Sequence, residues 1–351
     1  MNLQRRHILA SPGYLGSLGT LGVAACSKPS PFVPLPVLPE GLLEMRVAHA
    51  INPRLPRLSD AQLTSMLATT AATAKAHFGV DLKFLPAVEL SVKKIMDGIP
   101  AIDQEAARQN AINFKTASVD SRRFELATAQ MLHDSGETFE GVAQFARATI
   151  PDADLSSFDT IGTAAAQLHL RRLQRWLAVP AFDGAPAINS APYNEFGFWD
   201  VCGRGVLPFE MIVTNQLIAS AELTNTAIHT ALRGGYTNGI ASANRSSKYG
   251  SSAIWSTFAF LSDDPWVVEM RQGERYEMEE AVKLSGIGAT HEIGHQLFHY
   301  GHPYLRLECV MAPARGLAFR ATAARFDAAA CARAADPDMR PGTVKIPMAP
   351  Q

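Results

Sequence analysis

The sequence carries no surplus of charge. Its 32 Lys and Arg face 33 Asp and Glu, a formal net charge of −1, so it lacks the basic footprint that nucleic acid requires of its main partner. Beyond the first 26 residues it has no apolar run long enough to span a bilayer. No internal repeat is visible, and Gly234-Gly235-Tyr236-Thr237-Asn238-Gly239 is a turn-rich loop that matches no phosphate-binding pattern. Cysteine is scarce. Past Cys26 only Cys202, Cys309 and Cys331 remain, which in an oxidising compartment is one disulfide plus one spare thiol. What is present is ordinary for a globular chain: with 47% hydrophobic and 19% charged residues over 351 positions, it can bury one sizeable core or two modest ones.

Residues 1–26 read as a targeting segment, outside the fold. Arg5-Arg6 open it, Ile8 to Ala25 is apolar and rich in Gly and Ala, and Val23-Ala24-Ala25-Cys26 resembles a lipobox. That resemblance implies export, lipidation on Cys26 and anchoring to a bacterial membrane, facing the periplasm or the exterior. The alternatives are an ordinary signal peptide with an incidental cysteine, or a short membrane anchor. Residues 27–42, with Pro29, Pro31, Pro34, Pro36 and Pro39, form an extended tether that buries nothing. The globular part runs from 43 to 351.

Its start is strand, helix, strand. Met45, Val47, His49 and Ile51 alternate with other residues as in a half-buried strand, and His49 on that phase reads as a packed core histidine. Ser59 to Gln62 is a capping box that opens a helix with Leu63, Met66, Leu67, Thr70 and Ala74 inward and Gly79 at its end. Val80, Leu82 and Phe84 alternate again, so a parallel pair covered by a helix is expected and the class is α/β. From about 90 to 180 the pattern is helical, an insertion or cap; Pro151 is expected to begin a helix whose inward side holds Leu155, Phe158, Ile161, Leu168 and Leu177. Residues 180–205 form a loop, Phe209 to Ala219 is β-rich, and Ala253 to Leu261 is a further strand. A last helix is expected from about Tyr276 to His299, with Glu277, Glu279 and Glu280 at its positive end.

That helix carries His291-Glu292-Ile293-Gly294-His295. Histidines four apart share one helix face and can offer two nitrogens to one metal, with the glutamate beside them as a proton acceptor. A catalytic zinc takes three protein ligands and leaves one position open. His299, His302, Glu308 and Asp327 are the candidates for the third. An unbroken helix places His299 about 12 Å along the axis from His291, too far to share the ion. His302 can return only if the chain leaves the helix after His295, and Gly301 offers the freedom. His302 is therefore preferred, with local unwinding to His299 and the acidic residues left open.

His291 to His302 resembles the metzincin signature of zinc metallopeptidases, and Cys309-Val310-Met311-Ala312-Pro313 resembles its methionine turn. The short span to Met311 is nearest to the archaemetzincin pattern. Two departures stand out: Phe298 occupies the family's glycine position, and the third histidine comes one residue late. The resemblance implies a zincin-like α+β fold, with a mixed twisted sheet, an active-site helix, the helical insertion and a C-terminal subdomain from about 303 to 351. It implies one catalytic zinc on His291, His295 and His302, Glu292 as general base, Met311 as an apolar floor, and a peptide or protein as substrate of a monomer. An edge strand near Ala253–Leu261 would align that substrate. Of the cysteines that bind a second zinc in archaemetzincins, only Cys309 and Cys331 are matched, so a second ion is not expected, and in an exported protein the two are expected to form a disulfide. The alternative in another class is a silent zincin-like lipoprotein that binds a peptide or protein partner without cutting it.

Overall fold

The computed structural model describes residues 41–103, 105, 121–180, 182, 196–203, 207–219, 228–242, 252–298 and 300–331. The leader with Cys26, most of the tether, His299 and residues 332–351 lie outside the described residues. The chain is mixed α/β. The expected strand at Met45–Ile51 is two strands, β1 (Leu42–Met45) and β2 (Val47–Ile51), which part at Arg46. β1 pairs in parallel with β3 (Asp81–Phe84), while β2 enters a larger sheet. All five residues of β2 are buried, His49 included, because a parallel strand in mid-sheet is covered on both faces.

Between β1 and β3 runs helix α1 (Asp60–Phe78). Ser59 accepts from the Gln62 amide and Gln62 answers to the Ser59 amide, the expected capping box. Gly79 closes the helix at φ 70°, a left-handed turn that favours glycine. Leu63, Met66, Leu67, Thr70 and Ala74 face inward as expected, joined by Phe78.

The main sheet runs β4-β2-β5-β9-β8, with β4 Val88–Ser91, β5 Met211–Thr214, β8 Gly239–Ser242 and β9 Ser252–Ser256. The first four are parallel and β8 is an antiparallel edge, its Gly239 opposite Trp255. A short antiparallel pair, β6 (Ile218–Ala219) with β7 (Tyr236–Thr237), precedes that edge. Two expectations change here. The strand near Ala253–Leu261 stops at Ser256 and becomes a short helix, and β9 lies inside the sheet with both edges bonded. It cannot align a peptide. The glycine-rich stretch 234–239, read as loop, leads into the edge strand instead.

Helix α2 (Val92–Asp97) and α6 (Phe196–Val201) cover one face of the sheet, where Ile95, Phe198 and Trp199 meet Ala48, Ala50, Ile212 and Ile254. The free thiol of Cys202 is buried in this layer, and burial pushes its pKa up. The insertion comprises α3 (Ser121–Asp134), α4 (Phe139–Thr149) and α5 (Phe158–Leu177). Pro151 stands in a turn and does not begin α5; the capping box of Ser157 and Thr160 sets the start seven residues later. Ile161 and Leu168 join Leu132, Val142 and Phe145 in a core that also takes in Leu232 and Tyr304, and Leu155 and Phe158 pack against it. Leu232 ends α7 (Ile228–Leu232), so the insertion braces α7.

The other face is closed by α1 and by α10 (Met278–Phe298). Between β9 and α10 lie α8 (Phe258–Leu261) and α9 (Pro265–Met270), and α11 (Phe319–Ala323) follows. Cys309 and Cys331 form a disulfide that ties the last described turn to the segment behind α10. Its loop spans 22 residues, so Cys331→Ser is expected to cost about 3 kcal/mol of unfolding free energy. Denaturant titration checks this, and an unchanged midpoint would mean that the bridge adds nothing.

Candidate metal centre

Helix α10 sets His291 and His295 one turn apart on one face, their Nε2 atoms 2.9 Å from each other. His302 returns to the same point, its Nε2 3.0 Å from both. The helix does not break after His295; it runs to Phe298, where the metzincin signature would have a glycine. There the ring of Phe298 stacks on Tyr300 at 5.3 Å and packs against Phe78 at 5.2 Å, so an aromatic cluster turns the chain. The Tyr300 amide reaches back six residues to the Gly294 carbonyl at 3.5 Å and closes the helix end. Gly301 is not among the left-handed glycines, so the freedom expected of it is not used.

The backs of the two helical imidazoles are fixed. His291 Nδ1 donates to the Val310 carbonyl at 3.0 Å, and His295 Nδ1 donates to the Tyr300 carbonyl. With the proton on Nδ1, each Nε2 presents a lone pair to the common point. Burial, then the neighbouring rings and Arg233, holds His302 and His291 well below the ordinary histidine pKa; burial brings His295 to about 4. Neutral imidazoles with converging lone pairs repel unless a cation lies between them. Tetrahedral zinc, with Zn–N of about 2.0–2.1 Å, spaces its ligands roughly 3.3 Å apart, close to the observed triangle. The donor set fits one zinc with three protein ligands.

Glu292 is buried next to this triangle, and burial lifts its carboxyl to about 8 against the pull of the Arg233 guanidinium. A dication beside it would draw it back to the carboxylate. The first residue of β8 presses on it: a Cβ at Gly239 would fall 2.5 Å from Glu292 Cδ. Met311 lies beneath the helix, fully buried, and Gly294 makes room for its sulfur; a Cβ there would also meet the Phe78 ring at 2.8 Å. The segment 309–312 thus does two things, since Val310 holds His291 while Met311 fills the floor.

Of the other candidates, Glu308 and Asp327 are exposed, and the Asp327 amide bonds the Glu308 carbonyl at 2.8 Å on the disulfide side. Neither joins the triangle. A second group, His49 with Asp60 and Glu89, has ligand atoms within 4.8 Å of one another, but both acids are exposed and Arg57 holds Glu89 at 3.3 Å. The chain matches no known family model, no curated protein and no solved structure. The site is read from its own geometry.

Four residues near the three histidines escaped the sequence reading. His229 on α7 lies with its ring 4.3 Å from that of His302 and its Nδ1 3.3 Å from the Tyr304 hydroxyl. Arg233, Asn238 and Gly239 line the same cleft of about 550 Å³ as His291 and Glu292. His229 and Arg233 stand four apart, the only signal in the sequence, and one that commonly marks an ordinary helix face.

Proposed function

We propose that this chain is an exported, lipid-anchored zinc endopeptidase of zincin-like architecture, nearest to the archaemetzincin pattern. The observation that carries the reading is the meeting of three Nε2 atoms within 3.0 Å beside the buried carboxyl of Glu292. Zinc, when bound, supplies a Lewis acid that acidifies water and polarises a carbonyl. Glu292 then accepts the proton of the attacking water and hands it to the leaving amine. His291 and His295 are held in the ligating tautomer by the Val310 and Tyr300 carbonyls. Met311 keeps the floor apolar. The edge strand β8, whose first residue Gly239 abuts Glu292, would pair with an extended peptide. A mixed sheet under a ligand-bearing helix is what the resemblance implies. Export and anchoring at a bacterial membrane rest on the leader and Cys26. Bound-metal analysis of the purified protein, coupled with a peptide-library digest, tests the proposal. One zinc with cleavage supports it; zinc without any cleavage leaves the silent, partner-binding lipoprotein.

Gly239→Ala gives a finer test. The added methyl must move the Glu292 carboxylate, and a displacement of about 1 Å at a reacting group costs on the order of a hundredfold. Cleavage is expected to fall accordingly while zinc content holds. Equal rates in wild type and variant would remove the contact from the account.

A further inference from the structure

The cleft holds a cation to which no carboxylate among the described residues is bonded. Arg233 is 7% exposed and lines the cleft with His291 and Glu292. Its Nε donates to the Ala314 carbonyl at 2.9 Å, and its guanidinium carbon lies 5.8 Å from the centroid of the Phe145 ring. Its own carbonyl is held by Arg172 Nη1 at 2.6 Å. So one edge of the side chain and its backbone are pinned by the methionine-turn segment and the insertion. The two terminal nitrogens have no acceptor among the described residues, and no carboxylate there forms an ion pair with Arg233. Burial lowers its pKa only to about 10, so it stays charged at neutral pH.

A buried, charged, fork-shaped donor without a carboxylate partner is costly to fold around, and the planar guanidinium matches a carboxylate through two parallel bonds. Glu292 shares the cleft and opposes the charge at a distance, without a hydrogen bond to it. The geometry points to a carboxylate-binding subsite at Arg233, next to the metal centre, which selects peptides bearing a carboxylate close to the bond to be cut. This rests on the peptidase reading for its consequence, though not for its binding. Two sources share the chemistry, the free C-terminus of a peptide and an Asp or Glu side chain.

Direct binding separates this inference from catalysis. Three N-acetylated tripeptides serve as probes: an uncharged free acid, its C-terminal amide, and an amide containing one internal Glu. They are titrated calorimetrically against the full chain carrying Glu292→Gln, with and without zinc, so that no cleavage intervenes. The free acid or the Glu-bearing amide is expected to bind roughly tenfold or more tightly than the neutral amide. The preference should persist without zinc, which could itself hold a carboxylate. A preference for the acid assigns the terminus, and one for internal Glu assigns the side chain. Arg233→Gln should bring the affinities together, and Arg233→Lys should keep the charge but lose part of the preference with the fork. Equal binding of all three probes, or a preference unchanged in Arg233→Gln, would overturn the subsite. If the preference stands while wild-type protein cuts no peptide, the subsite survives and the peptidase reading falls.

Discussion

Glu292→Gln is expected to leave zinc bound at one ion per chain and to remove peptide cleavage by a factor on the order of 10²–10⁴. The amide has the volume of the carboxyl, so the packing against Gly239 is kept and no cavity opens. The three imidazole nitrogens, the Val310 and Tyr300 carbonyls behind them and Met311 below are untouched. What goes is the only acidic side chain among the described residues that lines the cleft beside His291, and with it the means of taking a proton from water there. Metal analysis by mass spectrometry and a timed digest, run on the same preparation, read the two effects separately. A variant that loses both zinc and cleavage would make Glu292 part of the metal's support. One that cuts within tenfold of wild type would end its assignment as base.

The parts of the fold that were legible beforehand are those whose signals are local. The capping box at Ser59 and Gln62, the left-handed Gly79 and the apolar period of α1 each act within a few residues, and α10 lies within two residues of its expected bounds. Where a boundary depends on which strand pairs with which, the sequence misleads. Met45 and Val47 look like one alternating strand, yet the chain changes sheets at Arg46, whose side chain and amide both bond Glu210. Ala253 to Leu261 is apolar but for Ser256 and Thr257, and such a run has no period to announce that it changes from strand to helix after Ser256. At the site, the helical pair His291 and His295 with Glu292 is fixed by spacing alone. His229, Arg233 and Gly239 belong to the opposite wall, brought there by α7 and β8, and no spacing within a sequence encodes contact across a cleft.

His302→Ala is the substitution that bears most on the ligand set, and it is expected to weaken zinc binding by roughly a hundredfold or more, since loss of a mere supporting contact already costs about 10–100-fold. His302 stands 3.0 Å by Nε2 from both helical nitrogens, and no other acidic residue or histidine among the described residues joins that triangle. His229 lies with its ring 4.3 Å from that of His302 and its Nδ1 on the Tyr304 hydroxyl, and its nitrogens are not among those that meet at the triangle. Removing the imidazole leaves His291 and His295 correctly oriented, because their Nδ1 bonds run to main-chain carbonyls that the substitution does not alter. Two ligands cannot hold zinc against dilution as three do, so cleavage should vanish with the metal and return in part at high zinc concentration. His299→Ala is the matched control. Competition with a chromophoric chelator measures both variants. Zinc and cleavage retained in His302→Ala but lost in His299→Ala would move the third ligand to His299 and require the helix end to unwind, against the stack of Phe298 on Tyr300 that closes it.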